Sequence, residues 1–186
     1  QNKGAGTLEF MVKHTPKKYG HLQTKTGGWT VRTDVFVKYG ERAGGLKPGF
    51  GARSSAIGPE LGFGTVVGDA LKEPVLIIKT CWGGKTLMVD FRPPCAGPLP
   101  KPLADKMLAG IKRRDPKATM KAVEVRSGAF YRLMMSEVAN TLKNLKEVYP
   151  DYDGKGYEIT GFGWHQGWND GLSHDMVAAY EENLVC

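Results

Sequence analysis

The chain has 186 residues, enough for one domain with a sizeable core. Apolar residues make up 41% and charged residues 24%, the balance of a globular protein rather than a disordered or fibrous one. The formal net charge is +7, but its densest cluster, Lys112, Arg113, Arg114 and Lys117, is broken by Asp115 and Pro116 and has no recognition motif beside it. Nucleic acid is therefore not an expected partner. No stretch approaches the roughly 20 apolar residues of a membrane helix, and no signal-peptide pattern is present. Cysteines at 81, 95 and 186 lack metal-ligand spacing, so neither a zinc site nor a disulfide framework is expected. A single Cys81–Cys95 bridge stays open. No metal or other cofactor is implied.

In chain order, residues 1–56 are glycine-rich, basic and weakly patterned, and read as a variable N-terminal segment of short strands and loops. Within it, Trp29 to Tyr39 is rich in β-branched and aromatic residues and predicts one or two strands. The stretch GERAGGLKPGFGARSS reads as a mobile loop. Residues 57–186 read as an α/β domain. Pro59 and Glu60 suit the first turn of a helix running to about Leu71, with Leu61, Val66, Val67 and Ala70 available for burial. Its glycines 62, 64 and 68 cost helix propensity but allow close packing on a sheet.

The run PVLIIKT, residues 74–80, fits a fully buried parallel strand. It is followed at once by Trp82-Gly83-Gly84, a glycine pair where an open α/β sheet places ligand contacts. Residues 92–128 read as a proline-bearing insertion with a short basic helix near 101–113. Phe130, Met134, Val138, Leu142 and Leu145 recur at three or four and predict a helix from Phe130 to Val148, stopped by Tyr149-Pro150. Residues 157–164 read as a second buried strand, and a last helix begins near Ser173, using Met176, Val177, Tyr180 and Leu184. The alternation of strands and helices predicts a three-layer α/β/α sandwich with a mainly parallel sheet. Only two central strands are evident, and the chain opens on Gln1 and closes on an unfinished helical pattern. A fragment or a processed chain is expected.

Both strand ends carry polar or glycine-rich blocks, WGG at 82–84 and WHQGWNDG at 164–171. In a parallel sheet they would face the same edge. Glycine lets a backbone N–H approach a substrate closely, and Gln or Asn supplies an amide donor. Together these form an oxyanion hole for acyl transfer, given a nucleophile and a base.

The runs GPELGFG, VLIIKTCWGGKTL and GFGWHQGWNDG resemble the sialate O-acetylesterase-like branch of the SGNH hydrolases, which are carbohydrate-esterase relatives. The resemblance covers residues 57–91 and 129–186. It implies a flavodoxin-like sheet and a serine esterase acting on a small-molecule or glycan ester, without a cofactor. Members are often exported, so an envelope or extracellular location is implied. Carried over by position, Gly83 or Gly84 gives a backbone N–H and Gln166 or Asn169 a side-chain amide, two frames through the block remaining open. Trp82, Trp164, His165, Trp168 and Asp170 are the candidate substrate contacts. The family's nucleophile lies in a Gly-Gln-Ser-Asn type block and its base in an Asp-x-x-His block. Neither occurs in these 186 residues.

Plainer roles compete at each position. Ser173-His174-Asp175 spells a triad, but adjacent residues cannot form a relay, and Ser173 reads as an N-cap. Cys81 reads as a small strand-end residue rather than a nucleophile. His165 reads as structural or substrate-orienting, the tryptophans as packing, and Asp170 as a partner of the turn backbone. Gly83-Gly84-Lys85-Thr86 lacks the upstream glycine of a phosphate loop. Three readings follow: an ester hydrolase, a catalytically inactive carbohydrate-binding module of the same fold, or a truncated product with no independent function.

Overall fold

A computed structural model describes residues 4–186. The chain divides into two compact units. Unit 1 takes the N-terminal stretch through Lys79 together with Lys143–Gly154, and unit 2 takes Thr80–Leu142 and Lys155–Cys186.

In unit 1 the period-2 pattern of the first predicted strand decides the core. Strand β1 (Arg32–Tyr39) turns Val35 and Val37 inward, both at 0% exposure. Phe36, on the opposite face, meets Tyr149 with ring centroids 4.6 Å apart. A two-residue turn through Gly40, whose φ of +54° suits glycine, leads into β2 (Arg42–Leu46). The stretch read as a mobile loop therefore supplies a strand. β2 runs antiparallel to β1, and β3 (Val75–Lys79) runs parallel to it, with Val37 opposite Ile77. The order is β2-β1-β3. The fold is α/β, as expected, but the sheet is small and mixed rather than mainly parallel. β3 lies at an edge and is half-buried along its length, not fully buried.

Helix α3 (Pro59–Ala70) starts at Pro59 with Glu60 in its first turn, matching the expectation. Its packed face differs. Val66 is exposed and so is Ala70, while Glu60, Leu61, Gly64 and Gly68 are buried. A Cβ on Gly64 would lie 2.8 Å from Leu46 and 2.9 Å from Ile77, and one on Gly68 would lie 2.4 Å from Val35. Absent side chains bring the helix onto the strands, so the glycine stripe and not the valine stripe faces inward. Arg32 on β1 ties the two elements together. Its guanidinium donates to Asp69 on α3 at 2.5 Å and to Thr65 O at 3.0 Å, and it also pairs with Asp34. That hydrogen-bonded pairing holds the Asp34 carboxyl below its usual range. Lys79 Nζ donates to Glu60 Oε2 and to Phe50 O, each at 2.6 Å, and Glu60 Oε1 accepts from Gly58 N at 2.9 Å. Both charges are thus satisfied where little water reaches them.

Two helices missed in the sequence, α1 (Leu8–His14) and α2 (Pro16–Tyr19), precede β1. Thr7 caps α1 by accepting from Phe10 N, with Glu9 in the first turn and Lys13 and His14 in the last. Those are ordinary start and stop signals. Leu8 and Leu22 pack on the core of Val35, Val37, Leu46, Phe50 and Leu61.

Unit 2 contains no strand among the described residues. The second strand expected at 157–164 is irregular backbone, with Tyr157, Ile159 and Phe162 exposed. Its β-favouring side chains alternate with glycines 161 and 163, and no neighbouring strand pairs with it, so its composition does not make it a strand. The rest is helical: α4 (Lys101–Lys112), α5 (Met120–Arg126) and α6 (Ala129–Lys143). α4 and α6 fall where the sequence places helices, and α5 within the segment read as connection. The helix expected to reach Val148 breaks at Asn144, and α7 (Leu145–Val148) belongs to unit 1. The last helix is likewise two, α8 (His174–Ala178) and α9 (Tyr180–Val185), divided at Ala179.

Cys95 pairs with Cys186, Cα–Cα 5.8 Å, rather than with Cys81, which is exposed. Beside that bridge Arg92 is buried. It donates to the carbonyls of Ala96, Gly97 and Pro98 and, at 3.1 Å, to Asn183 Oδ1 on α9. Burial lowers the Arg92 pKa from its ordinary value, with Glu182 opposing. No helix among the described residues is long and apolar enough to cross a membrane.

Candidate functional site

The two blocks singled out in the sequence meet inside unit 2. After the Gly83–Gly84 turn, Thr86 opens a single helical turn. Thr86 N and Oγ1 both donate to Asp90 Oδ2, at 2.9 and 3.1 Å, and Val89 N donates back to Thr86 Oγ1 at 3.2 Å. This reciprocal arrangement works as a capping box does. The next two amides, Leu87 and Met88, are the donors that such a start leaves without intrahelical acceptors. Asp170 accepts both, through Oδ2 at 2.9 Å and Oδ1 at 3.0 Å. The carboxylate is 1% exposed and caps the turn from 82 or more residues away in sequence. Negative charge at the positive end of a helical turn is favourable in its own right.

Gln166 reinforces the junction. Its Nε2 donates to Lys85 O at 2.9 Å and to Asp170 Oδ2 at 2.6 Å. Asn169 Nδ2 donates to the same Lys85 carbonyl at 3.2 Å. Tyr180, at the start of α9, fixes Gln166 from behind. Its hydroxyl lies 2.7 Å from Gln166 O and 2.9 Å from Oε1, and accepts from Trp164 Nε1 at 2.9 Å.

The aromatics divide into two groups. Trp82 packs edge-on against Phe130 at 5.2 Å, and Trp164 edge-on against Phe91 at 5.3 Å. Both border the core of Leu87, Phe91 and Met134. Trp168, by contrast, is 84% exposed, and His165 is exposed as well. Lys85 Nζ sits 4.0 Å above the Phe130 ring and 3.6 Å from Asp90 Oδ1.

Gly83 and Gly84 are exposed, and a Cβ on either would meet nothing within 4 Å. Gly84 takes φ +72°, a left-handed conformation that L residues disfavour. Ser173 occupies the cap position of α8 without a side-chain capping bond. No cluster of three or more metal-ligating side chains occurs among the described residues. Sequence reasoning expected these two blocks to meet as strand ends on one sheet edge, but residues 157–164 form no strand and the contacts run through Lys85, Leu87 and Met88 rather than Gly83 and Gly84. It missed Tyr180, whose helical position gave no sign of its reach, and Thr86 with Asp90, whose four-residue spacing was a readable turn signal.

Comparison with known proteins brings no match: no family model, no curated protein and no solved structure is similar to this chain.

Proposed function

We propose that the chain carries the oxyanion-binding part of a carboxylic-ester hydrolase, one that deacetylates carbohydrate or sialic-acid-like substrates by serine acyl transfer. The observation behind this reading is the junction of the two blocks. Lys85 O accepts from both Gln166 and Asn169, which holds their amides within one short segment of the open Gly83–Gly84 turn. Such preorganised donors stabilise a tetrahedral oxyanion because they need no reorientation as charge develops. A primary amide has two N–H bonds. Gln166 spends its pair on Lys85 O and Asp170, whereas Asn169 spends one on Lys85 O. Asn169 is therefore the better donor to substrate, with Gln166 positioning it through the shared carbonyl. The serine and histidine come from outside these 186 residues, in the Gly-Gln-Ser-Asn and Asp-x-x-His blocks that the resemblance implies.

A second reading, an inactive carbohydrate-binding module, draws on Trp168, whose exposed indole face suits stacking on a sugar ring. Two measurements on the full-length protein separate them. Under the hydrolase reading a fluorophosphonate labels it and p-nitrophenyl acetate is turned over, and Asn169→Ala lowers turnover roughly 10²–10³-fold. Under the binding-module reading no label is taken up, and Trp168→Ala abolishes glycan binding. Full turnover in both Asn169→Ala and Gln166→Ala would refute the oxyanion assignment.

A further inference from the structure

The positive charge of the chain is unevenly placed. Residues 101–126, the α4–α5 pair and its corner, hold eight Lys and Arg against three Asp and Glu, a surplus of five. The other residues together carry a surplus of two. All eight basic side chains are exposed. Of the acids, Asp105 pairs with Lys101 at 2.6 Å, and Asp115 accepts from Lys117 N at 3.1 Å to hold the turn.

The corner itself is ordered. Arg114 N and Asp115 N both bond Ile111 O at 3.0 Å, Ala118 N bonds Asp115 O at 3.0 Å, and Ala118 is buried. Lys112, Arg113, Arg114 and Lys117 therefore project from a defined bend rather than from a loose loop. On the apolar side of α4 Leu103, Met107, Leu108 and Ile111 are half-buried, and Ala104 is buried.

We propose that this corner is a docking surface for an acidic polysaccharide, one bearing sulfate or uronate groups. Four cations within six residues form the short basic run that binds such polymers. The guanidinium forks of Arg113 and Arg114 match planar or trigonal oxyanions in a two-bond geometry. The composition argues against the other polyanions. Between Arg92 and Ala129 there is no aromatic residue to stack on a base, and no Asn or Gln to read one. Against a membrane surface, α4 presents no outward apolar face, because Leu103, Met107, Leu108 and Ile111 are half-buried; on α5 Met120 and Val125 are exposed, and the lipid-vesicle comparison below tests that surface. The surface is independent of the ester-hydrolase reading, and its test does not measure turnover.

The test is binding of the full chain to heparin, as the sulfated probe, and to polygalacturonate, as the carboxylated one, at several salt concentrations. The variant Lys112→Ala/Arg113→Ala/Arg114→Ala/Lys117→Ala is compared with a control of equal charge, Lys13→Gln/Lys17→Gln/Lys18→Gln/Lys25→Gln. The corner variant weakens binding to at least one probe roughly tenfold and flattens its salt dependence, while the control changes it less than about twofold. Arg113→Glu/Arg114→Glu, changing only two exposed side chains, gives the same direction. Equal loss in corner and control variants means diffuse charge and overturns the proposal. So does failure of the native chain to bind either polymer, or tighter binding to duplex DNA or to anionic lipid vesicles.

Discussion

Replacing Asp170 with alanine removes one carboxylate and strands three donors. Leu87 N, Met88 N and Gln166 Nε2 reach it at 2.9, 3.0 and 2.6 Å, in a place where Asp170 itself is 1% exposed. A buried donor left without an acceptor costs about 1–3 kcal/mol, and bonds to a charged partner lie at the upper end. The three share one acceptor and can relax together, so their costs do not simply add. About 4 kcal/mol of destabilisation is expected, a large share of the roughly 5–15 kcal/mol that holds a typical domain. Asp170→Asn keeps one carbonyl oxygen but turns an amide against the second backbone N–H, and about half that loss is expected. Trp82 and Trp164 border the same core, so urea unfolding followed by tryptophan fluorescence reports the change directly. A loss below about 1 kcal/mol in Asp170→Ala would refute the account, since it would mean that water or neighbours satisfy these donors without cost.

Further outcomes follow from packing and pairing. Gly62→Ala on α3 meets nothing within 4 Å and should stabilise by about 0.5–1 kcal/mol, read as a rise in melting temperature. Gly64→Ala and Gly68→Ala drive a methyl group against Leu46, Ile77 and Val35 and should cost about 1–3 kcal/mol each in the same measurement. Lys79→Met leaves the buried Glu60 carboxylate without its cation and should cost about 3–5 kcal/mol, most of it recovered in Lys79→Met/Glu60→Leu; urea midpoints of the three variants test this. Thiol titration of the native chain should find Cys81 reactive, with Cys95 and Cys186 appearing only after reduction. Because the bridge spans 91 residues, reduction should lower stability by about 2–4 kcal/mol.

Local chemistry made several elements readable. The β-branched and aromatic content from Trp29 to Tyr39 marks β1, Pro59 with Glu60 marks the start of α3, and the spacing of Phe130 and Met134 marks α6. These signals act within one or two turns of chain, so they survive whatever surrounds them. The oddly polar and aromatic stretch from Gly161 to Gly171 also stood out by composition, as did its partner turn at Gly83–Gly84. What composition could not supply was pairing. The residues 157–164 carry strand-forming side chains, yet a strand exists only where another offers hydrogen bonds, and among the described residues none does. β2, rich in small residues and glycine, looked like a loop and became a strand because β1 lies beside it.

The amino-acid sequence by itself determined that α3, α6, β1 and β3 form, where α3 and α6 begin, and which residues of the two blocks are chemically distinctive. Only the tertiary structure decided that β1 pairs in both directions, that Cys95 meets Cys186 across 91 residues, and that Asp170 caps a turn 82 positions earlier. The physical reason is range. Propensity and periodicity are carried by neighbours along the chain, whereas an acceptor for a buried donor, or a partner for a strand edge, is chosen among every segment that packing brings within hydrogen-bond reach.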